Sequence, residues 1–463
     1  MAGKPRNIKR SGLGRSLSVS LAGLRAGGAF ALDGAFQRLR GDGQPGLDSP
    51  FARREARRFV RELGRLKGTY VKIGQMLALL GEHFLPPVLT EALHELESQT
   101  QPLPFTAIEP QLQAALGNRL EELSIEHEAI AAASLAQVHR ATVKATGEQI
   151  CLKVQYPGLA DVIDADFDAV VRMLLLARWI KAGRDLDDWL TSMREQLHNE
   201  IDYAREAVMG DRVEALLADS ADELAGRGIR YHVPRRHVQY CADTVLAMEF
   251  IEGHQVTHAE VAALPQARRD SLGRAMLELF FYELYHWGIL QTDPNFGNYL
   301  IRCRDGEDEL VLLDFGSTMS FGHGFLVHLG NAIAAGQAED RELLTDSLEG
   351  LGCLRSDSSE FARETFANFC LQLLEPLRPP ARLPAEYLNK KGEYQWARSR
   401  LIRRVGKQAA DSAASLDFTT PSREFAMIAR KLTGVFTFIA VLNAQFNAHD
   451  RVSWHIDRWL EEE

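Results

Sequence analysis

The sequence predicts an α+β fold of two lobes, the first small and β-containing, the second larger and mostly helical, behind a helical extension. Three observations predict it. Ala136 to Val143, the turn at Ala145-Thr146-Gly147-Glu148 and Ile150 to Gln155 read as a β-hairpin. From residue 256 onward helical periodicity dominates. Within that helical part stands one further hairpin: Asn298 to Arg302, the turn Arg304-Asp305-Gly306, and Leu310 to Leu313.

Taken in order, the chain falls into four regions by composition: 1–50, 51–125, 126–255 and 256–463. The first is basic and glycine-rich, ending in the turn-like run Gly41-Asp42-Gly43-Gln44-Pro45-Gly46. Its apolar residues Leu13, Leu17, Leu21, Leu24, Phe30 and Leu32 are spaced roughly as one helix face. A mitochondrial transit peptide, a basic amphipathic helix on anionic lipid and a disordered basic tail all fit this opening. Residues 51–125 are helical, broken at Pro86-Pro87 and again at Pro102-Leu103-Pro104. In 126–255 the hairpin is followed by a long helical stretch from Asp161 to about Leu217. Val245 to Gly253 then forms an apolar strand running into a glycine.

Bulk properties exclude several classes. The 463 residues carry a net charge of −10, which argues against general nucleic-acid binding. Residues 1–43 hold eight Lys/Arg against two Asp, a local +6 that leaves −16 for the rest. The five cysteines show no C-x-x-C pair, so neither a disulfide framework nor a zinc site is expected from cysteine spacing. No apolar run reaches the roughly 18 residues of a membrane span: Leu432 to Leu442 is too short, and Arg25 and Asp33 interrupt Ser18 to Phe36.

The strongest chemical signal is Gln291-Thr292-Asp293-Pro294-Asn295-Phe296-Gly297-Asn298 followed by Asp314-Phe315-Gly316. Asp-x4-Asn with Asp-Phe-Gly sixteen residues after the Asn is the catalytic-loop and metal-binding arrangement of a protein-kinase-like fold. A hard cation bridging phosphates needs oxygen ligands, which Asn298 and Asp314 supply. A separate carboxylate, Asp293, can take a hydroxyl proton or orient a nucleophile. The hairpin between them brings Asn298 and Asp314 to adjacent strand ends.

Upstream, Lys153 lies between apolar residues on the strand Ile150 to Gln155, where an ATP-binding lysine is expected. Ala131-Ala132-Ala133-Ser134-Leu135-Ala136-Gln137-Val138 lies on the kinase phosphate loop G-x-G-x-x-G-x-V at every anchor, with alanine for each glycine. An alanine Cβ resists positive φ and close approach to phosphate oxygens, so this loop should hold a triphosphate differently. Glu200, Asp202 and Glu206 offer carboxylates to the lysine, Asp202 and Glu206 sharing a helix face. Met248, Glu249 and Ile251 fit a hinge that hydrogen-bonds adenine, and fit an ordinary buried strand equally well.

Together these residues resemble the UbiB/ADCK family of atypical kinases, associated with ubiquinone biosynthesis. The family's KxGQ element appears as Lys72-Ile73-Gly74-Gln75, its alanine-rich loop as Ala131-Ala132-Ala133-Ser134, its ExD motif as Glu200-Ile201-Asp202, and its catalytic block as Gln291-Thr292-Asp293-Pro294-Asn295. The resemblance spans roughly residues 10–455. It implies that Lys153 contacts the nucleotide phosphates and pairs with Glu206, that Asp293 is the catalytic aspartate, and that Asn298 and Asp314 hold Mg2+. It further implies that Lys72 and Gln75 lie near Glu200 and Asp202, blocking the path of a protein substrate.

The activity so implied is a magnesium-dependent ATPase or small-molecule kinase. ATP, an anionic membrane surface, quinone-precursor lipids, other ubiquinone-biosynthesis proteins and a second copy in a homodimer are the implied partners. The implied place is the bacterial inner-membrane periphery, with the mitochondrial matrix as the alternative. Many bacterial members carry His-Ala-Asp-Pro-His in the catalytic block, and the form here looks more like the mitochondrial branch and its proteobacterial relatives. A protein kinase is disfavoured because no Ala-Pro-Glu segment follows Asp314. A nucleotide-binding scaffold would be marked by loss of Asp293, Asn298 or Asp314, all of which are present.

Overall fold

The computed structural model describes residues 50–66, 68–80, 85, 87–93, 102–176, 179–180, 186–226, 228, 230–304, 308–406 and 422–461. The basic N-terminal segment expected over 1–50 therefore lies, apart from Pro50, outside the described residues. The chain divides into two compact units, one running to Ala207 and including Arg235–Phe250, the other comprising Val208–Pro234 and Ile251–Glu463.

The first unit opens with α1 (Pro50–Leu66), α2 (Thr69–Leu80) and α3 (Pro87–Leu93). In α1, Ala56, Phe59, Val60 and Leu63 recur at helical spacing and are buried, while Arg53, Arg54, Arg57, Arg58 and Arg61 line the exposed side. That apolar stripe packs with Tyr70, Ile73, Met76 and Leu77 of α2 in a helical core that also takes in α5 (Leu159–Leu176) and α6 (Leu186–Asn199). The proline breaks act as expected: Pro87 opens α3, and Pro104 precedes α4 (Phe105–Leu116).

Four antiparallel strands follow the order β1 (Leu123–Ala132), β2 (Ala136–Val143), β3 (Gln149–Gln155) and β5 (Val245–Glu249). The expected hairpin is thus β2–β3, with Gly147 at φ 75° in its turn, a conformation glycine adopts at no steric cost. Alternation along β3 buries Ile150, Leu152 and Val154 against Ile108, Leu112 and Leu116 of α4. Cys151 and Lys153 consequently face the other way.

The single helical stretch expected from Asp161 to Leu217 is three helices: α5, α6 and α7 (Tyr203–Asp219). At the second break Asp202 acts as an N-cap, its Oδ1 accepting the Arg205 N–H at 2.9 Å. Aspartate satisfies a helix's orphan amides better than it continues a helix, so the chain restarts there.

In the second unit β4 (Tyr231–His232) pairs in parallel with β8 (Glu309–Leu312), which pairs antiparallel with β7 (Tyr299–Arg302). The β7–β8 hairpin lies where expected, and its register sets Tyr299 opposite Leu312. Its turn is only partly within the described residues. The short strands β6 (Leu290–Gln291) and β9 (Thr318–Met319) pair antiparallel. A large helical core surrounds them, built on α10 (Gln266–Phe281), α11 (His323–Ala338), α12 (Arg341–Gly350), α13 (Glu360–Leu373), α15 (Arg423–Val441) and α16 (His449–Glu461), with the short α8 (Ala221–Gly226), α9 (Ala259–Ala262) and α14 (Trp396–Ser399) beside them. No described helix is long and apolar enough to cross a membrane.

Candidate functional site

Within the first unit, Lys153 Nζ donates to both oxygens of Glu206, at 2.6 and 2.8 Å. The pair is largely shielded, with 17% of the lysine and 4% of the glutamate side chain exposed, and the Lys153 ammonium lies over the Tyr203 ring. Strand alternation aims Lys153, and the Asp202 cap sets the start of α7 so that Glu206 sits in its first turn. Of the three candidate carboxylates, Glu206 is the lysine's partner. Asp202 is the cap, and Glu200 forms an ion pair with Lys72 of α2. Gln155 reaches the intervening Ile201 carbonyl at 2.5 Å, fixing the Glu200–Asp202 turn to the end of β3.

Ala131 and Ala132 end β1 opposite Val138 and Gln137, and Ala133-Ser134-Leu135 make the turn into β2. Three bonds close that turn: Ala133 N to Ala136 O at 2.8 Å, Tyr156 N to Leu135 O at 3.0 Å, and Tyr156 OH to Ala133 O at 3.2 Å. Burial pushes the Tyr156 phenol up to about 12, so it stays a donor. None of these alanines has positive φ. The loop therefore follows a path that needs no glycine, which is how alanine stands at each anchor. Behind it, buried Gln137 clasps the Leu103 backbone, accepting its N–H at 2.7 Å and donating to its carbonyl at 3.1 Å.

Met248 and Glu249 lie on β5, and Ile251 begins the second of the two stretches that make up the second unit. The Glu249 amide donates to the Arg235 carbonyl at 2.8 Å, and the Phe250 amide to the Gln149 carbonyl at 3.3 Å. Those two amides are already engaged in the first unit's own folding.

In the second unit the loop bearing Asp293 is clamped at its start. Gln291 pairs with Thr318 across β6–β9, and Thr292 donates from both its backbone and its hydroxyl to the Ser317 carbonyl, at 2.8 and 2.9 Å. At its end Asn295 folds an Asx turn onto the Gly297 amide, and Leu313 N donates to the Asn298 carbonyl at 3.0 Å. These bonds set Asn298 beside the start of Asp314-Phe315-Gly316. Asn298 Nδ2 donates to Asp293 Oδ2 at 3.0 Å, and Asp314 Oδ1 accepts the Gly316 N–H at 2.9 Å. Asp293, Asn298 and Asp314 are all half-buried.

Residues 95–347, just over half of the chain, match the ABC1 atypical kinase-like domain. The chain belongs to that family. This is the UbiB/ADCK group that the motifs resemble, a family of ATP-dependent atypical kinases with a kinase-like fold. Atypical kinase coq-8 of Caenorhabditis elegans is 28% identical over 417 residues, covering 89% of this chain and 52% of that protein. The chain thus spans about half the length of that relative. Atypical kinase COQ8 of Saccharomyces cerevisiae is 26% identical over 392 residues, covering 84% of this chain and 73% of that protein. Both relatives are named as mitochondrial. Among solved structures, the Mycobacterium tuberculosis protein Rv3197 in complex with erythromycin has the same fold, with a TM-score of 0.58 and 24% identity over 86% of this chain and 95% of that one.

The family motifs miss one support of this atypical kinase-like domain, the helix α15. Its Arg430 NH2 lies 3.0 Å from Asp293 Oδ1, so the aspartate is gripped from both sides, by Arg430 and by Asn298. Next to it Lys431, 1% exposed, donates to Gln291 Oε1 at 2.7 Å and to the Tyr299 hydroxyl, with Glu283 3.9 Å away. One turn on, Gly434 leaves room for Pro294: a Cβ there would stand 2.1 Å from Pro294 Cβ. The sequence did hold a signal, two adjacent cations inside an otherwise apolar helix. It is the pattern that singled out Lys153 on its strand. Burial holds the Glu283 carboxyl up to about 7, because desolvation outweighs the attraction of Lys431.

Proposed function

We propose that this chain is a magnesium-dependent ATPase or small-molecule kinase serving ubiquinone-lipid biosynthesis at an anionic membrane surface. The observation that carries it is the clamped loop in which Asp293, Asn298 and Asp314 stand together at the β7–β8 hairpin. The donor set fits a hard cation: one carboxylate and one amide oxygen, with no sulfur or imidazole. Asn298 turns its amide nitrogen to Asp293, which directs its carbonyl oxygen away from that bond. Asp314 and Asn298 are the residues for Mg2+, which when bound neutralises charge developing on the phosphates.

In this reading Lys153, held straight by Glu206, contacts the phosphates, and Ala131, Ala132, Ala133 and Ser134 cover them. Met248, Glu249 and Ile251 serve the adenine. Asp293 orients the attacking hydroxyl or water and takes its proton while ADP leaves with the cleaved bond's electrons. Arg430 and Asn298 hold that carboxylate in one orientation, so little reorganisation is needed at the moment of attack. In this reading Lys72, paired with Glu200, and Gln75 on the same helix restrict the acceptor to water or a small molecule. The row of exposed arginines on α1 supports an anionic membrane partner. The relatives' names support the mitochondrial setting, and the bacterial inner-membrane periphery is proposed beside it. Quinone-precursor lipids, other biosynthetic proteins and a homodimer complete the proposal. It is tested by ATP turnover measured with and without anionic liposomes and phenolic quinone precursors. Turnover that rises with both supports it, and no magnesium-dependent turnover under any condition refutes it.

A further inference from the structure

Away from that loop, the segment His254-Gln255-Val256-Thr257-His258-Ala259-Glu260 carries three metal-ligand groups that neither the family motifs nor the proposed reaction uses. Their ligand atoms lie within 4.8 Å of one another, the only such group of His, Cys, Asp or Glu among the described residues. His254 Nε2 is 2.9 Å from Glu260 Oε2. The His258 ring stacks on that of His254, with centroids 4.3 Å apart and 17° between planes, and its Nδ1 accepts the Glu260 N–H at 3.3 Å.

The frame beneath these side chains is fixed. His254 exchanges both backbone hydrogen bonds with Ile301 of β7, at 2.9 and 2.8 Å. Gly253 lies so close to Ile301 and Leu300 that a Cβ would meet them at 3.2 Å. Val256 and Val261, 2% and 0% exposed, anchor the segment into the core on either side of His258. The ligand ends, by contrast, face solvent, with 30% of the His254 and 67% of the Glu260 side chain exposed. Three ligands on a rigid backbone, open to solvent on one side, suit an ion entering from bulk.

We propose that His254, His258 and Glu260 form a Zn2+ site, with two imidazole nitrogens and one carboxylate oxygen as ligands and water in the fourth position. The chemistry selects the ion. Two imidazoles with one carboxylate are a borderline donor set, which zinc takes and magnesium does not. Ligand atoms around a four-coordinate zinc, each about 2.0–2.1 Å from it, stand about 3.3 Å apart. The His254–Glu260 edge is close to that already, and the exposed His258 ring closes the third corner by turning out of its stack on His254, because an imidazole nitrogen binds a metal in the plane of its ring. The bound ion would clip the loop to the start of α9 and rigidify the segment paired with β7.

The test uses the full chain stripped with chelator and titrated with Zn2+ alone by calorimetry. One site per chain is expected. Its affinity should fall in His258→Asn and in Glu260→Gln by more than the roughly 10–100-fold that loss of a supporting partner costs. Asp314→Asn should leave it unchanged, which separates this site from the proposed Mg2+ ligands. Independently of any variant, the Co2+-loaded wild type should show the visible bands of a four-coordinate N/O site. The proposal is overturned by absence of stoichiometric binding, by equal affinity in the His258 and Glu260 variants, by loss of binding in Asp314→Asn, or by an octahedral cobalt spectrum.

Discussion

Gly434→Ala adds one methyl group where α15 crosses the loop behind Asp293. The new Cβ would lie 2.1 Å from Pro294 Cβ and 3.1 Å from its Cγ. Ordinary contact begins near 3.4 Å, so helix and loop must part by more than 1 Å. Overpacking of this kind costs about 1–3 kcal/mol. Alanine returns about 1 kcal/mol of helix propensity over glycine. The net destabilisation is therefore about 0–2 kcal/mol, a fall of a few degrees in melting temperature for a unit of this size. The displacement, however, is transmitted to Pro294 and so to Asp293 beside it. A misplacement of about 1 Å at a reacting group costs on the order of 10²-fold in rate. Melting curves and magnesium-dependent ATP turnover on the same preparation separate the two effects. Gly336→Ala is the control, since its Cβ would meet Leu374 at 2.4 Å rather than the catalytic loop, and it should lower stability alone. A Gly434→Ala protein that melts a few degrees lower yet turns over at the wild-type rate would refute the idea that α15 positions Asp293.

Three more outcomes are expected. Arg430→Gln should lower kcat about 10–100-fold with little change in KM for ATP, and Arg430→Lys should recover part of it. A KM effect alone would place Arg430 in binding rather than in holding Asp293. Lys153→Met and Glu206→Gln should be non-additive in stability by about 0.5–3 kcal/mol, and additive values in a double-mutant cycle would mean the shielded pair does not couple. Glu283 predicts a pH dependence. Its carboxyl is raised by burial from an ordinary 4.5 to about 7, so the folded chain binds this proton more tightly than the unfolded one. The resulting stability is fully present below about pH 4.5 and is lost as pH rises through 7. Glu283→Gln, which keeps the neutral shape, should flatten that part of the melting-temperature profile, and an unchanged slope would show that Glu283 is ionised in the fold.

The fold and much of the site were legible wherever the signal was local. The β2–β3 and β7–β8 hairpins announce themselves through alternation and turn residues within a few positions. Lys153 stood out as a charge among apolar neighbours, and alternation then explains how it faces away from them to meet Glu206. Spacing could not decide which acid it meets. Glu200, Asp202 and Glu206 are equivalent as sequence, and the helix start at Asp202 assigns them three separate jobs. The same cap accounts for the divided helix: aspartate at a break and aspartate within an amphipathic run read alike until the backbone amide it accepts is known. Arg430 and Lys431 carried a signal as adjacent cations in an apolar helix, but what they and Gly434 meet was not legible, for a different reason. Arg430 meets Asp293 from 137 residues away and Lys431 meets Gln291 from 140, and no periodicity within α15 encodes what it packs against. The alanine-rich loop lay between these cases. Its composition suggested that a glycine path was missing, and the backbone follows a route of ordinary φ on which none is needed.

In the proposed reaction Asp314 and Asn298 bind nucleotide through magnesium while Asp293 acts on the acceptor. Thermal stabilisation by Mg-ATP, set beside turnover in the same samples, tests it most directly. Asp314→Asn should lose the stabilisation and the turnover together, and Asp293→Asn should keep the stabilisation and lose the turnover. Stabilisation by Mg-ATP that survives Asp314→Asn, or turnover that survives Asp293→Asn, would overturn these assignments.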